Sequence, residues 1–232
     1  MKVSKLSLVG LLALGMTIPA AVSLAGDDKA HKDDKHAQHD NKDAKKDKKD
    51  DKKTETIAVG SVAPGFELTD TDGKAIKLSD FAGKVVVLQW FNPGCPFVKK
   101  HYEGANTFNE LNKKYSDKGV VFLAINSGAA GKEGAGKDTN ASIKKDWKIE
   151  YPILLDESGK VGKTYGATRT PEMFVLDKEG KVVYHGAIDD NKDMKGTGKT
   201  NYVAKALDEV LANKPVTTAT TKPYGCTVKY GS

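Results

Sequence analysis

The sequence predicts an α/β fold in which a mixed central sheet is flanked by helices on both faces. Two observations lead to this prediction. Continuous apolar runs bounded by glycine or proline are typical of strands that are buried on both faces. These runs alternate with segments whose apolar residues recur at helical spacing. The order is three strand–helix pairs, a hairpin and a closing helix, which favours a layered sheet.

The elements follow from these patterns in chain order. Strands are predicted at 83–91, 119–127 and 151–156, with a hairpin at 170–188. Helices are predicted at 96–115, 139–149, 158–167 and 200–214. The glycine-rich segment 128–138 has no apolar anchor and is predicted to be a mobile loop. It lacks the Gly-Lys-Ser/Thr ending of a phosphate loop, which argues against a nucleotide site.

Residues 1–25 have the features of a cleavable secretory signal. Lys2 and Lys5 precede the apolar run "LSLVGLLALGM", which is too short to span a bilayer. Ser23 and Ala25 provide small residues for cleavage, and Asp27 stands where a lipoprotein signal would have cysteine. The alternative is an uncleaved membrane anchor. We expect a periplasmic or secreted protein with no transmembrane segment after cleavage.

Residues 26–53 form a linker rich in lysine, aspartate and histidine. It contains no large apolar residue and is therefore predicted to be disordered. Its charges nearly balance, so the formal net charge of +6 does not indicate a nucleic-acid partner. Its three histidines, which could bind a metal weakly, are better explained as part of a solvated spacer: His31, His36 and His39. The sequence predicts no metal site and no cofactor.

The folded domain is expected at 54–214, followed by a tail at 215–232. The stretch "GSVAPGFELTDTDGKAIKLSDFAGKVVVLQWFNPGC" (60–95) resembles thioredoxin-like redoxins of the alkyl-hydroperoxide-reductase and thiol-specific-antioxidant type. Residues 166–190 resemble their second active-site segment. "CPFVKKH" and the tail sequence "GCTVKY" (225–230) resemble a peroxiredoxin-like subgroup. The resemblance covers about 57–230 and implies a thioredoxin-like fold.

Cys95 is the candidate reactive residue. It follows a predicted buried strand and precedes Pro96, which suits the first position of a helix. The unpaired N–H groups and the dipole of a helix start favour a thiolate. The carboxyl end of a strand is also where open α/β sheets place their sites. These features favour a reactive cysteine over an inert one.

Asn92 occupies the position at which thioredoxin-like relatives have their attacking cysteine, three residues before Cys95. Peroxiredoxins resemble the same turn with threonine or serine at that position. The resemblance therefore implies that Cys95 attacks alone, with the Asn92 amide donating to a peroxide oxygen. An amide in place of a hydroxyl is a departure from the peroxiredoxin pattern.

Arg169 is the only arginine in a lysine-rich chain. It precedes Thr170 and Pro171, which resemble the cis-proline loop opposite the active cysteine of thioredoxin-like proteins. The resemblance implies that Arg169 faces the attacking thiolate and that the backbone at Pro171 contacts the docked substrate. The alternatives are a chance surface arginine and an ordinary turn proline.

Cys226 is the second cysteine of the chain, in a polar tail that is predicted to be exposed and mobile. Three interpretations stay open. Cys226 is a resolving thiol for a sulfenic acid on Cys95, or half of a permanent Cys95–Cys226 disulfide, or an unrelated free cysteine.

The leading functional prediction is an exported thiol peroxidase that reduces hydroperoxides through Cys95 and is recycled by a thiol reductant protein. The first alternative is a thiol–disulfide exchange protein that acts on disulfide substrates. The second is a non-catalytic thioredoxin-fold module with a structural Cys95–Cys226 disulfide. All three agree with two cysteines in an oxidising compartment.

Overall fold

The computed structural model describes residues 57–232. The predicted signal peptide and linker lie outside the described residues, so both stay predictions. Within 57–232, none of the helices has the length and apolar character needed to span a bilayer.

A seven-stranded mixed sheet and a separate two-stranded ladder account for the strands of this part of the chain. The strands are β1 (Glu67–Asp70), β2 (Ala75–Lys77), β3 (Val86–Trp90), β4 (Val121–Asn126), β5 (Ile153–Leu155), β6 (Arg169–Thr170), β7 (Glu172–Leu176), β8 (Val182–Gly186) and β9 (Cys226–Thr227). The helices are α1 (Pro96–Lys99), α2 (Thr107–Ser116), α3 (Lys137–Asp146), α4 (Lys160–Tyr165) and α5 (Tyr202–Leu211). The large sheet has the order β2-β1-β5-β4-β3-β7-β8, and the small ladder pairs β6 with β9.

Strand β3 is the centre of the sheet. It pairs in parallel with β4 and in antiparallel fashion with β7. Because side chains alternate along a strand, Val87 packs in the apolar cluster that includes α2 and α5, whereas Leu88 packs in the cluster that includes Tyr165 of α4. Each fully buried side chain of this size contributes roughly 1.5–3 kcal/mol. The predicted mixed sheet with helices on both faces is confirmed.

The single helix predicted at 96–115 is wrong. Helix α1 ends at Lys99, and a π-helical turn follows at Lys100–Gly104. The first three residues of the π-helical turn are all buried: Lys100, His101 and Tyr102. Three consecutive residues of a regular α-helix do not lie on one face. Asn106 then adopts a left-handed conformation (φ 51°) before α2 begins.

The loop predicted to be mobile at 128–138 is held by polar groups instead of apolar ones. The Asn126 and Asn140 side-chain amides donate to the Gly134 carbonyl at 2.8 and 3.1 Å. The backbone N–H of Ala129 donates to the Lys229 carbonyl at 2.9 Å. Helix α3 also begins inside this segment. The segment therefore joins β4 to the tail.

The tail is likewise packed on the domain, which corrects the prediction of an exposed, mobile segment. The Ala187 N–H donates to Thr221 Oγ1 at 2.9 Å, and Tyr230 donates its hydroxyl proton to the Ala167 carbonyl at 2.7 Å. Strand β9 pairs with β6. As a result, Cys226 is half-buried.

A buried polar network joins the π-helical turn to the tail. Tyr224 donates its hydroxyl proton to Asp189 Oδ1 at 2.5 Å and lies 3.1 Å from His101 Nε2. Since a tyrosine hydroxyl has one proton, His101 must donate from Nε2. Burial lowers the pKa of His101 to about 4, so at neutral pH the ring is neutral and its Nδ1 accepts from the Thr107 hydroxyl at 3.1 Å. The network fixes the tail two residues before Cys226.

Gly225 gives the first testable prediction. It has a φ of +111°, and an added Cβ would overlap the Thr170 carbonyl oxygen. Gly225→Ala should therefore push β9 away from β6 and lower the free energy of unfolding by about 2 kcal/mol in urea denaturation. Gly231→Ala is the matched control in the same tail, because its added Cβ would meet Ala129 Cβ at an ordinary 3.4 Å. Equal stability of the two variants would contradict this account.

The second prediction concerns His101 and pH. Burial lowers the pKa of His101 to about 4 from 6.5, Asp189 partly opposes this shift, and Lys100 adds to it. The unfolded chain therefore binds a proton at a higher pH than the folded one. The stabilisation is complete above pH 6.5 and is lost as the pH falls towards 4, with a loss of at most about 3 kcal/mol.

Urea unfolding at a series of pH values between 7 and 4 measures this effect. His101→Gln keeps a side-chain amide donor but cannot titrate, so its unfolding free energy should fall less over this range than that of the wild type. Parallel pH dependences would show that His101 does not contribute to acid sensitivity.

Candidate functional site

The turn that precedes α1 is built by Asn92. Its Oδ1 accepts from the Gly94 N–H at 2.7 Å, and its carbonyl accepts from the Cys95 N–H at 3.1 Å. Such a side-chain-closed turn is a common use of asparagine. Pro96 occupies the start of α1, where its missing N–H leaves no bond unmade. The turn places Cys95 at the carboxyl end of β3, as the sequence predicts.

The Cys95 side chain faces the loop around Pro171. Cys95 is 2% exposed, and its Sγ donates to the Thr170 carbonyl at 3.0 Å. The peptide bond between Thr170 and Pro171 is cis, as the resemblance implies. The structure therefore brings together three of the candidate residues, Cys95, Thr170 and Pro171.

Cys226 joins the same site from the tail. In the β6–β9 ladder it lies directly opposite Thr170, the residue whose carbonyl accepts from Cys95. Both cysteines are free thiols. Burial, followed by the neighbouring Cys95 thiol, raises the pKa of Cys226 to about 12. The two sulfur atoms are therefore neighbours although they lie far apart in the sequence.

Two other candidates are placed differently. The Asn92 side-chain N–H donates to the Glu133 carbonyl at 2.9 Å, so the amide holds the turn to the 128–138 loop. Arg169 lies opposite Thr227 in the ladder. Within residues 57–232, no hydrogen bond links its guanidinium to either cysteine. Charge stabilisation by Asn92 or Arg169 stays a prediction.

Glu172 is a site-proximal residue to which the sequence analysis assigns no role. It is almost completely buried, and its Oε2 accepts from the N–H groups of Thr168 and Arg169, both at 2.8 Å. Its Oε1 lies 2.7 Å from His185 Nε2. The carboxylate thus fixes the backbone that leads into Pro171. The sequence feature that could have identified Glu172 is its place directly before the apolar run "MFVL". A carboxylate buried there needs hydrogen-bond partners.

In the part of the chain that the structure describes, no cluster of three or more histidine, cysteine, aspartate or glutamate side chains is arranged to hold a metal ion. The histidines His31, His36 and His39 lie outside that part.

The arrangement is suited to chemistry between two sulfur atoms. Two neighbouring thiols can be joined as a disulfide by exchange with a substrate disulfide, which is reduced in the process. The cis-proline loop lies next to both cysteines, and its Thr170 carbonyl accepts from the Cys95 thiol.

Comparison with known protein families and with curated proteins finds similar sequences. The sequence profile described as Redoxin matches residues 58–204. The Thiol-disulfide oxidoreductase ResA of Bacillus thuringiensis subsp. konkukian is 34% identical over 134 residues, which make up 56% of this chain and 70% of the relative.

Solved structures agree on the fold. An uncharacterized conserved protein from Geobacillus kaustophilus is 32% identical with a TM-score of 0.69, over 76% of this chain and 94% of that chain. A hypothetical protein from Sinorhizobium meliloti 1021 is 31% identical with a TM-score of 0.68, over 77% and 97%. The thioredoxin-like fold is confirmed, whereas the peroxiredoxin-like subgroup stays a prediction.

The Redoxin profile ends before the tail that contains Cys226, so the second thiol of the site lies outside the matched region. The profile nevertheless matches more than half of the chain, and the chain therefore belongs to the Redoxin family.

Proposed function

We propose that this protein is a thiol–disulfide oxidoreductase whose redox pair is Cys95 and Cys226. The observation that carries the proposal is the position of Cys226 opposite Thr170, whose carbonyl accepts from the Cys95 thiol. The tail thus supplies the second thiol that Asn92 does not. The similarity to a relative named for thiol–disulfide exchange supports the same reaction.

The reaction needs only the two sulfur atoms and a substrate disulfide. One thiolate of the reduced protein attacks a substrate sulfur, forms a mixed disulfide and releases the other substrate sulfur as a thiolate. The second protein thiolate then attacks the protein sulfur of the mixed disulfide and releases the remaining substrate sulfur as a thiolate. Two electrons pass to the substrate, the two cysteine protons go to the substrate thiols, and the protein is left with a Cys95–Cys226 disulfide. The reverse sequence oxidises a dithiol.

The neighbouring residues suit this cycle. The Thr170 carbonyl orients the Cys95 thiol, and the pairing of β6 with β9 holds Cys226 beside it. The partners are a disulfide substrate and a thiol reductant protein, and the expected location is the periplasm or the extracellular space. No cofactor is needed, because sulfur carries the electrons.

Peroxide reduction by Cys95, which the sequence patterns favour, has less support. Cleavage of the O–O bond needs donors aimed at the departing oxygen. The Asn92 amide is already bonded to the Glu133 carbonyl, and Cys95 is buried beside the tail.

Replacing either cysteine tests the proposal. Cys95→Ser and Cys226→Ser should each lower the rate of insulin disulfide reduction, driven by dithiothreitol, to the rate of dithiothreitol alone, because each removes half of the pair. Circular dichroism of both variants checks that the loss is not a loss of fold. Adding Asn92→Cys to Cys226→Ser should restore part of the rate, since it returns a second thiol to the turn.

Hydrogen peroxide consumption separates the competing functions. Rapid peroxide turnover by Cys226→Ser, without insulin reduction by the wild type, would replace the proposal with a one-cysteine peroxidase. A Cys95–Cys226 disulfide that withstands millimolar dithiothreitol in the folded protein would instead make the pair structural.

A further inference from the structure

The two cysteines differ in how far solvent reaches them. Cys95 is 2% exposed and is enclosed by the Pro171 loop, by α1 and by the tail. Cys226 is half-buried on a strand that is paired only with β6, and it is flanked by a partly buried Gly225 and an exposed Thr227. A substrate thiol approaching from solvent therefore meets Cys226 first.

Asn92 stands where a two-cysteine turn would have its first cysteine, and it is not accessible to a substrate. It is 2% exposed, and its amide is bonded to Gly94 on one side and to Glu133 on the other. In the thioredoxin-like pattern, position 92 is the site of attack. In this protein position 92 is a buried asparagine, so a substrate sulfur has to make contact at another residue.

We infer that Cys226, in the tail, is the sulfur that forms the mixed disulfide with a substrate, and that Cys95 is the buried partner that resolves it. This inference rests on the proposed function and reverses the roles that the sequence suggests. The substrate is a polypeptide or small-molecule disulfide, or the corresponding dithiol in the reverse direction, that reaches the tail face of the site.

The oxidised protein illustrates the step. A substrate thiolate attacks Cys226 Sγ, the Cys95–Cys226 bond breaks, and its electron pair leaves with Cys95 as a thiolate. A second substrate thiolate then attacks the substrate sulfur of the mixed disulfide and releases Cys226. The substrate dithiol has become a disulfide, and the protein holds two reduced cysteines.

The surface next to Cys226 carries charges of both signs. Lys229 and Glu133 form a partly exposed ion pair at 3.9 Å and both act on the Cys226 thiol. Lys229 lowers its pKa and Glu133 raises it. An approaching thiolate therefore meets no large field of one sign at this sulfur, and access decides which cysteine it reaches.

Glutathione tests the inference on the unmodified protein. The oxidised wild type is mixed with reduced glutathione, quenched in acid within milliseconds to seconds, and digested for peptide mass mapping. Glutathione should be attached to the peptide that contains Cys226 in at least tenfold excess over the peptide that contains Cys95. Protein that is fully reduced and alkylated beforehand is the control for non-specific adducts.

The outcomes distinguish the roles assigned to the two cysteines from the exchange function itself. Glutathione found mainly on Cys95 would overturn the assignment of roles and leave the exchange function intact. Failure of the wild type to form a glutathione-reducible Cys95–Cys226 disulfide would overturn both. Because no substitution is involved, neither result can be attributed to misfolding of a variant.

Discussion

The pairing of β9 with β6 is the interaction on which the rest of the site depends. It sets Cys226 opposite Thr170, and the Thr170 carbonyl in turn accepts from the Cys95 thiol. Two residues of strand are too few to hold a tail, because each backbone hydrogen bond contributes only about 1 kcal/mol net. The chain must therefore fix the tail by other means on both sides of Cys226.

Buried polar contacts provide that fixation. Before Cys226, the tail is held by the bonds among His101, Tyr224 and Asp189, and after it by the bond from Tyr230 to the Ala167 carbonyl. A fully satisfied buried network specifies one arrangement, because any displaced member leaves an unpaired polar group. The π-helical turn contributes to this network, because it buries His101 directly after α1, the helix that Cys95 precedes.

The sequence predicted the central strands because buried strands consist of continuous apolar runs, as in β3 and β4, but it did not predict the short strands β1 and β2. It failed where polar contacts decide the structure. The tail offers no apolar pattern, and only the placement of Tyr224 and Tyr230 reveals its anchors. The change from α1 to a π-helical turn after Lys99 was hidden because apolar residues recur at spacings of three and four throughout 96–115, as in a regular helix. The turn and cis-proline loop at Cys95 were predictable by resemblance, whereas the contact with Cys226 depends on long-range pairing.

Under the proposed function, a dithiol divided between a turn and a tail couples the redox state to the docking of the tail. A disulfide that closes so long a loop would stabilise the chain by about 5 kcal/mol through loss of unfolded-state entropy. In the oxidised state this covalent link would hold the tail, and in the reduced state only β9 and the polar network hold it. The tail is therefore freer when Cys226 is a thiol, which under the proposed function is the state that engages a disulfide substrate. In a two-cysteine turn both thiols are fixed by one local segment, and such coupling does not arise.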